Sequence, residues 1–215
     1  MKDPKNIVFI KCHKCSSTTV RMLLEEYAQK KRLKFMYEGY NPKMQLRDAP
    51  PVMPEVLKPP YNLSTRHIAY SKKFFDEMMI KPYHFITFIR EPLKRAISHY
   101  YSLCPLSKSM SFNTFYPKID EYPEYRMFFT NWMAYFLGYD SPDEIKGINN
   151  RYSFIGITEK FNESVKKLEK FLDYQFISQR RNYRYNNNNR YRHFVINNRV
   201  RIKFVEDNHL DYMLY

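Results

Sequence analysis

Glycine is scarce in this chain. The 215 residues hold four, Gly39, Gly138, Gly147 and Gly156. No two are spaced for G-x-G-x-x-G or G-x-x-x-x-G-K-[ST]. A dinucleotide fingerprint and a Walker A loop are therefore excluded, since both need glycine where the backbone wraps phosphate. Cysteine is equally sparse, with Cys12, Cys15 and Cys104. Three is an odd count and builds no disulfide framework. No run of about 18 apolar residues is present, so no membrane span is expected. The opening residues lead directly into the short apolar run Ile7 to Ile10, too short for a signal peptide. Read as it stands, the chain is of cytoplasmic type, although a longer precursor would carry the same residues.

Positive charge, by contrast, is abundant. Lys and Arg number 36 against 22 Asp and Glu, a formal charge of +14. That balance points to an anionic partner: nucleic acid, an acidic glycan, a membrane surface or a phosphorylated nucleotide. Charge alone does not choose among them. Hydrophobic residues make up 44% and charged residues 27%, which suits a globular chain with a real core rather than a disordered one. The length suits one domain, expected to span 1–215.

The pattern alternates strands with helices. Ile7 to Ile10 reads as a buried strand. From Ser17 the period changes: Val20, Leu23, Leu24, Tyr27 and Ala28 form the stripe of an amphipathic helix. A Pro-rich stretch, 40–61, reads as an extended loop. Leu63 to Tyr70 is expected to form a short strand containing His67, and Ser71 to Met79 a helix. Phe85 to Ile89 is the second clear strand. Pro92 then opens a helix with the stripe Leu93, Ala96, Ile97, Tyr100 and Tyr101. Further helices are expected over Tyr125 to Leu137, from Phe161 to Leu172 and over Asn198 to Tyr212, with a third buried strand at Phe154 to Ile157. Residues 180–194 are rich in Arg, Tyr and Asn and read either as a solvated loop or as a lip for an anionic substrate. Strand–helix alternation argues for a mostly parallel central sheet covered by helices on both faces, a three-layer α/β/α fold.

Two segments could carry chemistry. The first is Lys11-Cys12-His13-Lys14-Cys15-Ser16-Ser17-Thr18-Thr19, between a buried strand and a helix N-terminus. Free N–H groups and the positive end of the helix dipole favour an anion there. Ser16, Ser17, Thr18 and Thr19 add hydroxyl donors, and Lys11 and Lys14 add charge. Simple N-capping is the plainer reading, but one hydroxyl would suffice for it. Cys12-x-x-Cys15 also admits a redox reading or a zinc reading, the latter weakened by the lack of a second paired spacing. The second segment is Arg90 to Ser98. Arg90 closes a buried strand at the edge where open α/β sheets bind ligands, and Ser98 lies two turns into the next helix. Together they could hold a second phosphate; a plain salt bridge and a surface serine are the alternative.

Taken together, the chain resembles the sulfotransferases that use 3′-phosphoadenosine 5′-phosphosulfate (PAPS). It looks closest to the Golgi galactose 3-O-sulfotransferases, with the heparan sulfate 2-O-sulfotransferases more distant. The resemblance is carried by Phe9 to Thr18, Gln29 to Phe35, Phe85 to Pro92 with Ser98, Leu137 to Asp140 and Thr158 to Ser164, in that order. It implies the P-loop-like sulfotransferase fold and a carbohydrate acceptor, with PAP as the second product and no metal requirement. By the same resemblance, Lys11, Lys14, Ser16, Ser17, Thr18 and Thr19 match the loop that holds the 5′-phosphosulfate. Arg90 and Ser98 match the pair that grips the 3′-phosphate. His67 matches the general base, with Lys14 on the bridging oxygen. His13, His84, His99, His193 and His209 are weaker candidates for the base. Two departures stand out. Cys12 and Cys15 replace threonines of the family's loop, exchanging a hydroxyl donor for a weaker thiol. The Golgi enzymes' anchor and stem are missing, and a trimmed anchored precursor would place the domain in the Golgi lumen.

Two other classes compete. A basic nucleic-acid-binding protein without catalysis would use the +14 charge and the 180–194 segment, but it leaves the Lys11–Thr19 loop unexplained. A kinase with an unusual phosphate loop is opposed by the shortage of glycine.

Overall fold

The computed structural model describes residues 4–36, 59–177 and 195–215. The Arg/Tyr/Asn-rich segment 180–194 and all but the last residues of the Pro-rich stretch lie outside the described residues. In chain order the elements are β1 (Asn6–Ile10), α1 (Ser17–Lys30), β2 (Leu63–Ser64), α2 (Lys72–Met78), β3 (Tyr83–Ile89) and α3 (Pro92–Leu103). There follow α4 (Phe112–Phe115), α5 (Pro123–Arg126), α6 (Trp132–Leu137), α7 (Pro142–Lys146) and α8 (Ile148–Arg151). The chain continues through β4 (Phe154–Ile157), α9 (Phe161–Leu172), α10 (Asn198–Asp207) and α11 (His209–Leu214). None of the helices among the described residues is long and apolar enough to cross a membrane.

The four strands form one all-parallel sheet in the order β2-β1-β3-β4. The α/β fold of the sequence reading is therefore present. The connection through α1 runs one way along the sheet and the connection through α2 runs back. Right-handed crossovers then put these two helices on opposite faces. The stripe predicted for α1 is buried at Val20, Leu23, Leu24, Tyr27 and Ala28. It packs with Ile7, Phe9, Ile86 and Phe88 of the sheet in the larger core. A second core joins Leu93, Ala96 and Tyr100 of α3 to Phe112, Phe115, Phe129 and Phe204.

Three expected elements come out differently. The strand expected over Leu63 to Tyr70 stops at Ser64, because β2 pairs with β1 only at Ile7–Leu63 and Val8–Ser64 and then leaves the sheet. His67 thus stands in the loop beyond the strand's carboxyl end. The helix expected over Tyr125 to Leu137 is broken into α5 and α6 at Asn131, whose backbone is left-handed at φ 45°. The helix expected over Asn198 to Tyr212 is broken at Asn208. Both breaks have one cause. The Asn131 N–H donates to Asn208 Oδ1 at 2.8 Å, while Asn131 Oδ1 accepts from the N–H of Leu210 at 3.0 Å and of Asp211 at 3.3 Å. Asp211 returns the arrangement by accepting from Met133 N and Ala134 N at the start of α6. The starts of α6 and α11 are each capped by the other segment, a long-range exchange that helical periodicity does not encode.

Candidate active site

The site forms where the strand order reverses. Connections leave β1 and β3 in opposite directions, which opens a crevice at their carboxyl ends. Ile10 is in register with Thr87, and β3 runs two residues further, to Ile89. The chain after β1 therefore turns directly beside Arg90. The Arg90 Nη1 donates to the carbonyl of Lys14 at 3.1 Å. On the other side, Val8 is in register with Ser64. Three residues on from each, His67 Nδ1 lies 3.0 Å from the Lys11 carbonyl. Sheet register thus brings together three segments far apart in sequence.

The turn from Lys11 to Ser16 accommodates its shape without glycine. Lys14 (φ 65°) and Ser16 (φ 55°) are both left-handed, and Cys15 between them is not. Each such residue with a side chain costs roughly 1–2 kcal/mol. Alternating backbone of this kind gathers N–H groups around one centre, a concavity that suits an anion. Ser16 is the N-cap of α1, yet its side chain makes no capping bond. Its hydroxyl is left for other use, against the plain N-capping reading. Ser17 is buried, Ser16 and Thr19 are half-buried, and Thr18 is exposed at the helix start.

The two lysines face different neighbours. Lys11 is buried, and desolvation lowers its ammonium to about 8, with Arg21 adding to the shift and Glu25 opposing it. Lys14 is half-buried and lowered by desolvation and by Arg90. Glu159 borders the same corner. Its carboxylate lies 3.8 Å from Arg90 Nε and accepts from the N–H of Glu91. The Glu91 side chain in turn caps α3 through Leu93 N and Lys94 N. Ser98 sits half-buried on α3, the helix into which Arg90 leads.

Cys12 and Cys15 are free and fully buried. Burial pushes the Cys15 thiol up to about 12 and Cys12 well above its ordinary value. Cys15 Sγ donates to the His13 carbonyl at 3.6 Å and lies 3.9 Å from Met133 Sδ. Thiols so placed are poor nucleophiles, which argues against the redox reading. Cys104 belongs to the second core, away from this pair. Among the described residues, no group of three or more His, Cys, Asp or Glu is arranged to hold a metal ion.

Over residues 2–210 the sequence matches the family model described as galactose-3-O-sulfotransferase. The chain belongs to that family. A search of curated proteins returned no match. Family membership makes the protein a sulfotransferase whose acceptor class is carbohydrate.

In this sulfotransferase the sequence ranks His13 and His99 below His67, yet the structure brings all three rings together, tilted rather than stacked. The His13 ring centroid is 4.4 Å from that of His67 and 5.9 Å from that of His99, with Trp132 stacked at 6.0 Å. The Lys11 carbonyl can only accept, so His67 carries its proton on Nδ1 and keeps the lone pair on Nε2. Desolvation lowers His67 to about 3, helped by His13, Lys11 and Arg21. It lowers His13 to about 4 and His99 to about 2, with Arg95 the next cause in both.

These shifts carry a stability cost in acid. An unfolded histidine takes up a proton near 6.5, whereas the folded chain refuses it until about 4 or lower. The unfolded state binds more protons in that window, so stability falls as pH drops below 6.5. Between pH 6.5 and 5 carboxylates contribute little, and the histidines dominate. The expected result is a Tm that declines over that interval in calorimetry. A flat Tm from pH 7 to 5 would show that the three rings are protonated in the fold.

Proposed function

We propose that the protein transfers a sulfuryl group from PAPS to a hydroxyl of a galactose-type glycan or glycolipid, releasing PAP. The observation that carries this reading is the meeting of three segments at the sheet switch point. The hydroxyl- and lysine-bearing turn after β1 is flanked by Arg90 from β3 and by a neutral imidazole from the loop after β2. Lys11, Lys14, Ser16, Ser17, Thr18 and Thr19 hold the phosphosulfate, using side chains together with the N–H groups at the start of α1. Arg90 and Ser98 hold the 3′-phosphate.

The residues fit this donor on three counts. The Ser16 hydroxyl is not consumed by capping. The turn is left-handed at Lys14 and Ser16. Lys11 and Lys14 lie on the turn and Arg90 holds the Lys14 carbonyl, and lysines together with a helix dipole can neutralise an anhydride. His67 Nε2 takes the proton of the acceptor hydroxyl as oxygen attacks sulfur in line. Lys14 meets the charge that develops on the bridging oxygen as the nucleotide phosphate departs. Holding acceptor and donor in register supplies much of the remaining rate.

The test is incubation with radiolabelled donor and a panel of galactose-terminated acceptors. Label appearing in a sugar supports the reading; label in none, with PAP binding absent, overturns it. Arg90→Ala is expected to weaken PAP binding by about tenfold or more, because a guanidinium–phosphate contact is charge-assisted. Calorimetry showing unchanged PAP affinity would contradict its role.

A further inference from the structure

Arg95 has no part in the chemistry above, yet its guanidinium is wholly buried. A buried charge is costly unless it is fully paired and hydrogen-bonded. Here Nη2 donates to the Phe128 carbonyl at 2.6 Å, while Nε and Nη1 have no hydrogen-bond partner among the described residues. The opposite charge is Asp211, also fully buried and within electrostatic reach. Its two carboxylate oxygens are occupied by Met133 N at 3.1 Å and Ala134 N at 2.8 Å. The cation is therefore near a carboxyl that burial raises and Arg95 itself lowers, without being matched to it bond for bond.

Its surroundings point in one direction. The residues that hold Arg95 and Asp211 also touch the anion turn: Met133, whose N–H donates to Asp211, has its Sδ 3.9 Å from Cys15 Sγ, and Phe128, whose carbonyl accepts from Arg95, stacks on His99, whose ring centroid is 5.9 Å from that of His13. Arg90 lies within electrostatic reach of Arg95. A space-filling role beneath the turn could be met by methionine or leucine, which would avoid the desolvation cost. A charge in a dry interior is poorly screened and acts over longer distances than one in solvent. Asp211 lies just past the stretch that matches the family model, which ends at residue 210.

We propose that Arg95 is an electrostatic positioning residue for the sulfate donor: a buried cation beneath the Cys12–Ser16 turn that raises the positive potential where the donor's anionic groups bind, with Asp211 as the counter-charge that sets how much of it the turn feels. The proposal rests on the PAPS assignment made above. It makes the two members of one buried pair act on anion affinity with opposite signs. A purely structural pair would not do so, because loosening either member would loosen the same turn.

The experiment is PAP titration calorimetry on the full chain, with Tm recorded alongside, for Arg95→Met, Asp211→Asn and the double variant. Asp211→Asn keeps its volume and one oxygen for α6, and it is expected to bind PAP about threefold more tightly. Arg95→Met is expected to bind about tenfold more weakly, and the double variant also more weakly than the unaltered protein. Should Arg95→Met not fold, the double variant against Asp211→Asn reports the same sign, since removing the cation from that background must weaken binding. Weaker or unchanged PAP binding in Asp211→Asn overturns the proposal while leaving the donor assignment in place. Failure of the unaltered protein to bind PAP overturns the donor assignment and the role of Arg95 together.

Discussion

Lys14→Ala is expected to lower the rate of sulfate transfer at least ~100-fold, the usual scale for removing a group that meets charge in the transition state. The argument depends on where Lys14 sits. It lies mid-turn, half-buried, with Arg90 the cation that most depresses its ammonium after desolvation. Its own carbonyl is held by Arg90 Nη1. The backbone contribution therefore survives truncation of the side chain, and a left-handed φ of 65° strains alanine no more than lysine. The variant should fold, with a Tm close to that of the unaltered chain. PAP affinity should fall only by the loss of one charge, while turnover falls far more. That split between binding and rate is what a group acting on the leaving phosphate produces. Turnover within tenfold of the original would remove Lys14 from the bridging oxygen.

His67→Ala is expected to produce a loss of similar size, at least ~100-fold in turnover. The bond from Nδ1 to the Lys11 carbonyl fixes the ring and leaves Nε2 basic. A histidine held near 3 stays neutral through the physiological range and is ready to accept a proton. It is also a weak base in that state. An anionic donor placed beside it should raise its affinity for protons, since opposite charge favours the protonated ring. The acid limb of kcat, which reports the complex, should accordingly lie at higher pH than that of kcat/KM, which reports the free enzyme. Near-normal turnover after His67→Ala would reassign the base, and His13, 4.4 Å away between ring centroids, would be the next imidazole to test.

Much of the site was legible in the residue order, for identifiable reasons. The β1–turn–α1 unit is local: a β-branched run, a polar turn and a 3.6-residue stripe each express themselves over a few neighbours. Observed α1 starts at Ser17, where the period changes, and the buried stripe is the expected one. Pro92 opens α3 as anticipated. The expected stripe on α3 omitted Arg95 and His99, which are also buried. Polar residues on a buried helix face follow no periodic rule, because their partners come from elsewhere in the fold. Phe128, which accepts from Arg95 and stacks on His99, lies in the segment where one helix was expected and two are found.

The amino-acid order by itself determined the strand–helix alternation, the basic and hydroxyl-rich turn, and the family, because those depend on local chemistry and on the order of motifs along the chain. The tertiary structure alone decided that His67 meets the Lys11 carbonyl, that Arg90 holds the turn, that buried Arg95 donates to the Phe128 carbonyl and that buried Asp211 caps α6. Those facts depend on strand register and on caps exchanged between segments some 80 residues apart, as between Asn131 and Leu210. Contacts of that kind are selected by the packing of the whole sheet and its helices, and no short window of residues contains the partners that select them.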